Sequence, residues 1–190
     1  MSKFKPTFAD RFVALKYMFL NWWLIAALIL NLGPINTLRK IRQYPWILTL
    51  FTVNSLVGRV NQGRTGNYRE AIDYTLFIVL KDLKRHLEAA FLDSEKVVNH
   101  VEIMPIEIIE AMGLHSYSVE MLGILLSYIN PTSMEKYIDA ADNFGIPNDS
   151  CSLPRAALGM GLMGHHPKGA ALVSANIPCD GGKSVYNILS

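Results

Sequence analysis

The sequence predicts an α/β protein: a helical N-terminal region followed by a partial doubly wound parallel sheet. Three observations carry that prediction. Residues up to about 92 hold two apolar runs and one long amphipathic stretch at helical spacing. From Lys96 onward, short apolar runs alternate with helical ones. Gly33-Pro34, Pro105, Gly113 and Gly145 punctuate the junctions. The division falls into a helical region over residues 1–92 and an α/β domain over residues 93–190.

The totals narrow the function classes. A chain of 190 residues holds one domain with a sizeable core, or one domain with an appendage. It is 51% hydrophobic and 18% charged, more apolar than an average soluble domain. A net charge of +2 is too small to argue for nucleic acid. Two cysteines are too few for a disulfide scaffold. The first apolar run is followed by no small-x-small cleavage site. A reduced, cytoplasmic setting is the default expectation.

No charge occurs from Tyr17 to Leu38. The heart of that run, Phe19 to Leu32, is interrupted by Asn21 and Asn31 and ends at Gly33-Pro34. It is shorter than the roughly 20 apolar residues a membrane span needs. Basic residues flank it on both sides (Lys3, Lys5, Arg11 and Lys16 before, Arg39, Lys40 and Arg42 after), so loop charge sets no orientation. A buried or partner-covered helix is preferred over membrane attachment through residues 19–58. A second apolar run covers Pro45 to Gly58, and Asn61 to Asn67 is a polar, glycine-containing loop. An amphipathic helix follows over about Tyr68 to Phe91. Its apolar face is Ile72, Leu76, Val79, Leu80, Leu83, Leu87 and Ala90. Glu70, Asp73, Lys81, Lys84, Arg85 and Glu88 are expected on a solvated face.

In the second region, Val97 to Met104 reads as a strand. Pro105 then opens a helix to Met112, with Gly113 as its stop. Leu114 to Val119 is a second strand, and Asn130 to Asp142 a helix ended by Gly145. A helix over Cys151 to Met163 leads to a third strand, Ala170 to Ala175, small and apolar as buried parallel strands are. Another helix begins near Lys183. A three-stranded sheet with its last crossover unfinished reads as the front part of a larger protein or a truncated relative.

Chemistry points to the stretch from Cys151 to Cys179, which holds both cysteines, 28 residues apart. Cys151 falls in a helix first turn, where N–H groups and the helix dipole favour a thiolate, the form a metal or iron–sulfur cluster takes. A small buried core residue is the plainer alternative. Cys179 precedes Asp180-Gly181-Gly182, where glycines permit close backbone approach to a ligand or simply make a tight turn. This spacing matches no zinc module. Gly159-Met-Gly-Leu-Met-Gly164 satisfies G-x-G-x-x-G but lies at the end of a helix, not between strand and helix, so dinucleotide binding is rejected. Close helix packing explains these glycines better. Gly182-Lys-Ser184 lacks the first glycine of a P-loop, having Ile177 there. His165-His166 are expected to be exposed, and His100 and His115 lack an acidic or cysteine neighbour at ligand spacing.

Three segments resemble the 2-hydroxyacyl-CoA dehydratase family, which includes the benzoyl-CoA reductase subunits. They are Pro105-Ile-Glu-Ile-Ile-Glu-Ala-Met-Gly-Leu114, Cys151-Ser-Leu-Pro-Arg-Ala-Ala-Leu-Gly159 and Ser174-Ala-Asn-Ile-Pro-Cys-Asp-Gly-Gly182. The resemblance runs from about Val97 to Ser190. It implies paired subunits of doubly wound α/β domains, each carrying a [4Fe–4S] cluster on three cysteines. It also implies a separate ATP-hydrolysing iron–sulfur activator. The reaction implied is loss of water from a 2-hydroxyacyl-CoA thioester through a ketyl radical. Cys151 matches the second cluster ligand. The first lies four residues before the proline matched by Pro105, and this chain has Val101 there. Valine cannot coordinate iron, so either a partner chain supplies ligands or the cluster is lost. Cys179, a further ligand candidate, and the Asp180-Gly181-Gly182 loop would line the same cleft, with the loop on the substrate side. Two readings follow. One is a subunit or fragment of a dehydratase-like enzyme, paired with a second subunit, the activator and an acyl-CoA. The other is a non-catalytic relative that stabilises a partner.

Overall fold

The computed structural model describes residues 7–101, 104–175 and 180–189. Helix α1 (Phe8–Leu32) starts at a capping box. The Asp10 N–H donates to Thr7 Oγ1 at 3.2 Å, and the Asp10 carboxylate accepts the Thr7 N–H at 2.8 Å. It ends where Gly33 turns to φ 79°, and Pro34 opens α2 (Pro34–Gln43), a position whose missing N–H costs nothing. The helix is therefore longer than the Phe19–Leu32 run, and by length and composition it suffices to cross a membrane. The second apolar run breaks into α3 (Ile47–Leu50) and α4 (Val53–Val60). The amphipathic pattern becomes α5 (Gly66–Leu92).

Helix α1 lies along α5, and its buried positions include polar ones: Asp10 and Asn21 beside Tyr17, Leu28 and Leu32. Asp10 Oδ1 accepts the Gly66 N–H at 2.7 Å, and Asn21 Nδ2 donates to Asn54 Oδ1 at 3.2 Å. Its other side is apolar and open, with Phe8, Phe12, Phe19 and Trp23 exposed. On α5 one expectation fails: Asp73 is fully buried, not solvated. Asn61 Nδ2 donates to its carboxylate, and burial raises its pKa above the ordinary value.

Past a 3₁₀ turn (Ser94–Lys96) the chain forms β1 (Val97–His100), α6 (Ile106–Ala111) and β2 (His115–Ser118). Then come α7 (Val119–Ile129), α8 (Glu135–Phe144), α9 (Ser152–Leu162), β3 (Ala171–Val173) and α10 (Asp180–Leu189). The three strands are parallel in the order β2-β1-β3, with Val97 opposite His115 and Val98 opposite Ala171. Helix α7 is absent from the sequence reading. Its run Val119 to Ile129 is apolar nearly all round, which leaves no helical period to detect. Helix α8 starts at Glu135, after a turn at Asn130–Ser133, and not at Asn130. Strand β3 is an edge strand, half-buried to exposed, not buried as its composition suggested. The glycines of α9 do what packing required. A Cβ on Gly159 would strike the Tyr137 carbonyl of α8, and one on Gly161 would meet the Leu189 side chain.

One hydrophobic core runs through both regions, from Leu28, Trp46 and Leu50 through Leu87 to Val97, Tyr117 and Leu126. Trp46 Nε1 donates to the carbonyl of His165 at 2.9 Å, joining the α2–α3 connection to the loop before β3.

Candidate functional site

In open parallel sheets, ligands collect beyond the carboxyl ends of the strands. Helix α9 immediately precedes β3 and so runs back against the strand direction, which points its first turn toward that edge. Cys151 is the N-cap residue of α9 and is exposed. The predicted position in the first turn is thus off by one residue, and the alternative of a buried core cysteine is excluded. The helix behind it is anchored by Arg155, buried at 8% exposure, whose guanidinium is paired with the Asp142 carboxylate and donates to the Asn148 carbonyl at 3.1 Å.

Helix α10 runs beside α9 in the same direction. Leu158 and Val185 share one buried cluster, and Leu189 lies against Gly161. The start of α10, with Gly181 and the buried Gly182, therefore stands at the same end as Cys151. Asp180 opens α10, but its side chain lies outside the described part, as does Cys179 altogether. Val101, at the expected first ligand position, is buried at 6% exposure, and its N–H donates to Val173 O at 3.3 Å. It is a core residue where β1 ends. Among the described residues no group of three His, Cys, Asp or Glu side chains could hold a metal ion. Among the described residues Cys151 is the one thiol, whereas a cubane takes about four ligands.

His165 and His166 are half-buried, against the expectation of exposure. The Tyr137 hydroxyl lies 3.0 Å from His165 Nδ1, and burial lowers the pKa of His165 and raises that of Tyr137 to about 12. His166 sits edge-on to Tyr117 with 6.3 Å between ring centroids, and burial pushes its pKa down to about 4. These rings pack the α9–β3 loop onto the core.

A second feature escaped the sequence reading. A cavity of about 380 Å³ lies where β1 and β2 end, walled by α5 and α7. Its polar residues come from three elements: Asp82 and His86 of α5, His100 of β1, and Ser116 and Ser118 of β2. His86 Nε2 is 3.2 Å from Ser116 Oγ, and His86 Nδ1 is 2.9 Å from the Asp82 carbonyl. His100 Nδ1 is 2.6 Å from Val101 O. No spacing along the chain could have shown this grouping, because only the parallel register brings Ser116 and His100 to one face.

No curated protein and no solved structure matches the chain. The match to a family model covers β2, β3, Cys151 and α10, and begins after the central strand β1. Residues 103–190 match the family described as 2-hydroxyglutaryl-CoA dehydratase, D-component, in line with the resemblance that its motifs carry.

Proposed function

We propose that this chain is a subunit of a 2-hydroxyacyl-CoA dehydratase-like assembly. The assembly's reaction is loss of water from a 2-hydroxyacyl-CoA thioester, or reduction of an acyl-CoA. The observation that carries this reading is the family match over residues 103–190, within which Cys151 is held at the exposed start of α9. The chain's own contribution is positional. Arg155 and Asp142 fix α9, and α9 and α10 present Cys151 and Gly181-Gly182 at one end of the α/β layer. Ligands for a cluster beyond Cys151 and Cys179 come from another chain in this reading. A second subunit and an ATP-dependent iron–sulfur activator complete the assembly. The open apolar side of α1 suits a partner subunit in the cytoplasm; attachment to a membrane is the alternative.

The burial of Val101 favours a second reading, a non-catalytic relative that stabilises a partner. Anaerobic purification of the wild-type chain and of Cys151→Ala, with iron and acid-labile sulfide counted in each, separates the two. Near-stoichiometric iron and sulfide that vanish in Cys151→Ala support the redox subunit. A folded protein without iron in either sample moves the isolated chain to the non-catalytic reading.

A further inference from the structure

We propose that α1 lies flat in the surface of an anionic lipid bilayer, with its aromatic side among the head groups and its back against α5. This goes beyond the dehydratase reading. It concerns residues outside the family match and decides for a bilayer over a partner subunit as the covering of α1.

The open side of α1 is a continuous stripe. Phe8, Phe12, Leu15, Phe19 and Trp22 recur at alternating intervals of four and three residues, and all are exposed. Trp23 stands beside them, and Leu30 is exposed toward the far end. Past Gly33, α2 exposes Ile35 and Leu38 next to Arg39 and Arg42. The side of α1 toward the body carries polar tethers along its length. Asp10 holds the Gly66 N–H, Asn21 donates to Asn54, and Asn31 Nδ2 donates to Glu88 Oε1 at 2.6 Å. To cross a bilayer, α1 would have to part from the body and carry Asp10, Asn21 and Asn31 into hydrocarbon without these partners. A helix lying in the surface keeps every one of them.

Charge selects the surface. From Arg11 to Arg69 the chain has eight basic residues and no acidic one. From Glu70 onward it has 15 acidic residues against eight basic. Of the acids at α1, Asp10 is taken up by the capping box and Gly66, and Glu88 by Asn31 and Lys84. Exposed Arg11 and Lys16 flank the stripe near one end of α1, and exposed Arg39 and Arg42 follow the other end. Basic residues at both ends set no direction for a span. In a surface helix they hold both ends at one depth, among anionic head groups. A second copy of this chain does not fit, because either orientation brings basic ends onto basic ends. Nor does the face carry what sets a register against a protein surface, since no charge occurs from Tyr17 to Leu38. A fluid bilayer requires no register.

The test is co-sedimentation of the full chain with sucrose-loaded vesicles. One set is phosphatidylcholine alone, the other three parts phosphatidylcholine to one of phosphatidylglycerol. Binding at least about tenfold tighter to the anionic set is expected, weakening as salt is raised. Arg39→Gln combined with Arg42→Gln should weaken it at least about fivefold, and so should Phe19→Ser, with far-ultraviolet circular dichroism unchanged. Arg11→Gln with Lys16→Gln replaces the first pair if that variant does not fold, and Phe12→Ser replaces Phe19→Ser. Phe144→Ser, at an exposed aromatic on α8, should bind like wild type. Depth is read with lipids brominated near the head group or near the chain ends. Trp22 and Trp23 lie near the middle of α1, so a flat helix is quenched more by the shallow bromines and a crossing helix by the deep ones. The proposal is overturned by equal affinity for neutral vesicles, by stronger quenching from the deep bromines, or by α1 and α2 variants that bind like wild type. It is equally overturned by loss of binding in Phe144→Ser, or if the chain ignores both vesicle sets, whether monomeric or self-paired in sedimentation equilibrium. The iron count of the Cys151 experiment is unaffected by any of these outcomes.

Discussion

Helices α1 and α9 invert the usual relation between hydrophobicity and burial. Helix α1 is the most apolar long segment of the chain, yet only Asp10, Tyr17, Asn21, Leu28 and Leu32 of its 25 residues are buried. Helix α9 has an arginine, a proline and two glycines in 11 residues, yet Pro154 through Met160 are buried without interruption. The difference lies in what each surface permits. Small residues let α9 approach until its backbone meets the backbone of α8 and a side chain of α10, and the one charge it buries is paired. Helix α1 is held instead by a few polar contacts placed toward the body, which leaves its aromatic side free. Hydrophobic content says how much surface could be covered; shape and pairing decide what this chain covers by itself.

If that contrast is right, the costliest small change lies in α9. Gly159→Ala drives a methyl into the Tyr137 carbonyl, and overpacking of this kind costs about 1–3 kcal/mol, here at the upper end because backbone is struck. Urea unfolding followed by circular dichroism reads it, and a loss below about 1 kcal/mol would mean that α8 and α9 can separate freely. The loop behind α9 should be next. His166 keeps its ring neutral in the fold, with a pKa near 4 against an unfolded value of about 6.5. The unfolded chain therefore binds the proton first. The contribution is complete above about pH 6.5 and is lost as the pH falls toward 4, by up to about 3 kcal/mol. His166→Phe should flatten that part of the acid-unfolding curve, and an unchanged slope would place the acid sensitivity elsewhere.

The effects in α1 are smaller. Asn21→Ala strips the partner from the half-buried Asn54 and should cost about 1–2 kcal/mol. A neutral result in thermal melts would show that the polar contacts do not hold α1 down. Smallest of all, Phe12→Ser on the open side should change the stability of the isolated chain by less than about 0.5 kcal/mol. A loss above about 1 kcal/mol would show that this side is already covered, by self-association or otherwise, and would break the comparison.

The contrast also marks where reading the sequence succeeds. Elements with a sharp stop or a clean period were legible: Gly33-Pro34 ending α1, the α5 pattern, Pro105 and Gly113 around α6. Helix α7 was not, because a helix buried on most sides has no polar face to set a phase. Asp73 misled because a charge is normally solvated, and only the fold supplies Asn61 beside it. For the candidate site, Cys151 was legible as a helix start because its motif precedes an uninterrupted helical run. Burial of Val101 needed the sheet. The His86–Ser116–His100 grouping needed the parallel register, since its members are separated by 14 or more residues in a chain without a repeat.

The three tryptophans sit on opposite sides of this divide, and they give the chain its own optical readout. Trp22 and Trp23 are 44% and 58% exposed, while Trp46 is 3% exposed with its indole tied to the His165 carbonyl. An ionic quencher such as iodide reaches the first two and spares the third. A partner or bilayer that covers α1 shields Trp22 and Trp23 and leaves Trp46 unaltered. Detachment of the α9–β3 loop does the reverse, shifting Trp46 emission to the red. Covering of one surface and opening of the other are thus two distinguishable colours of the same unlabelled molecule.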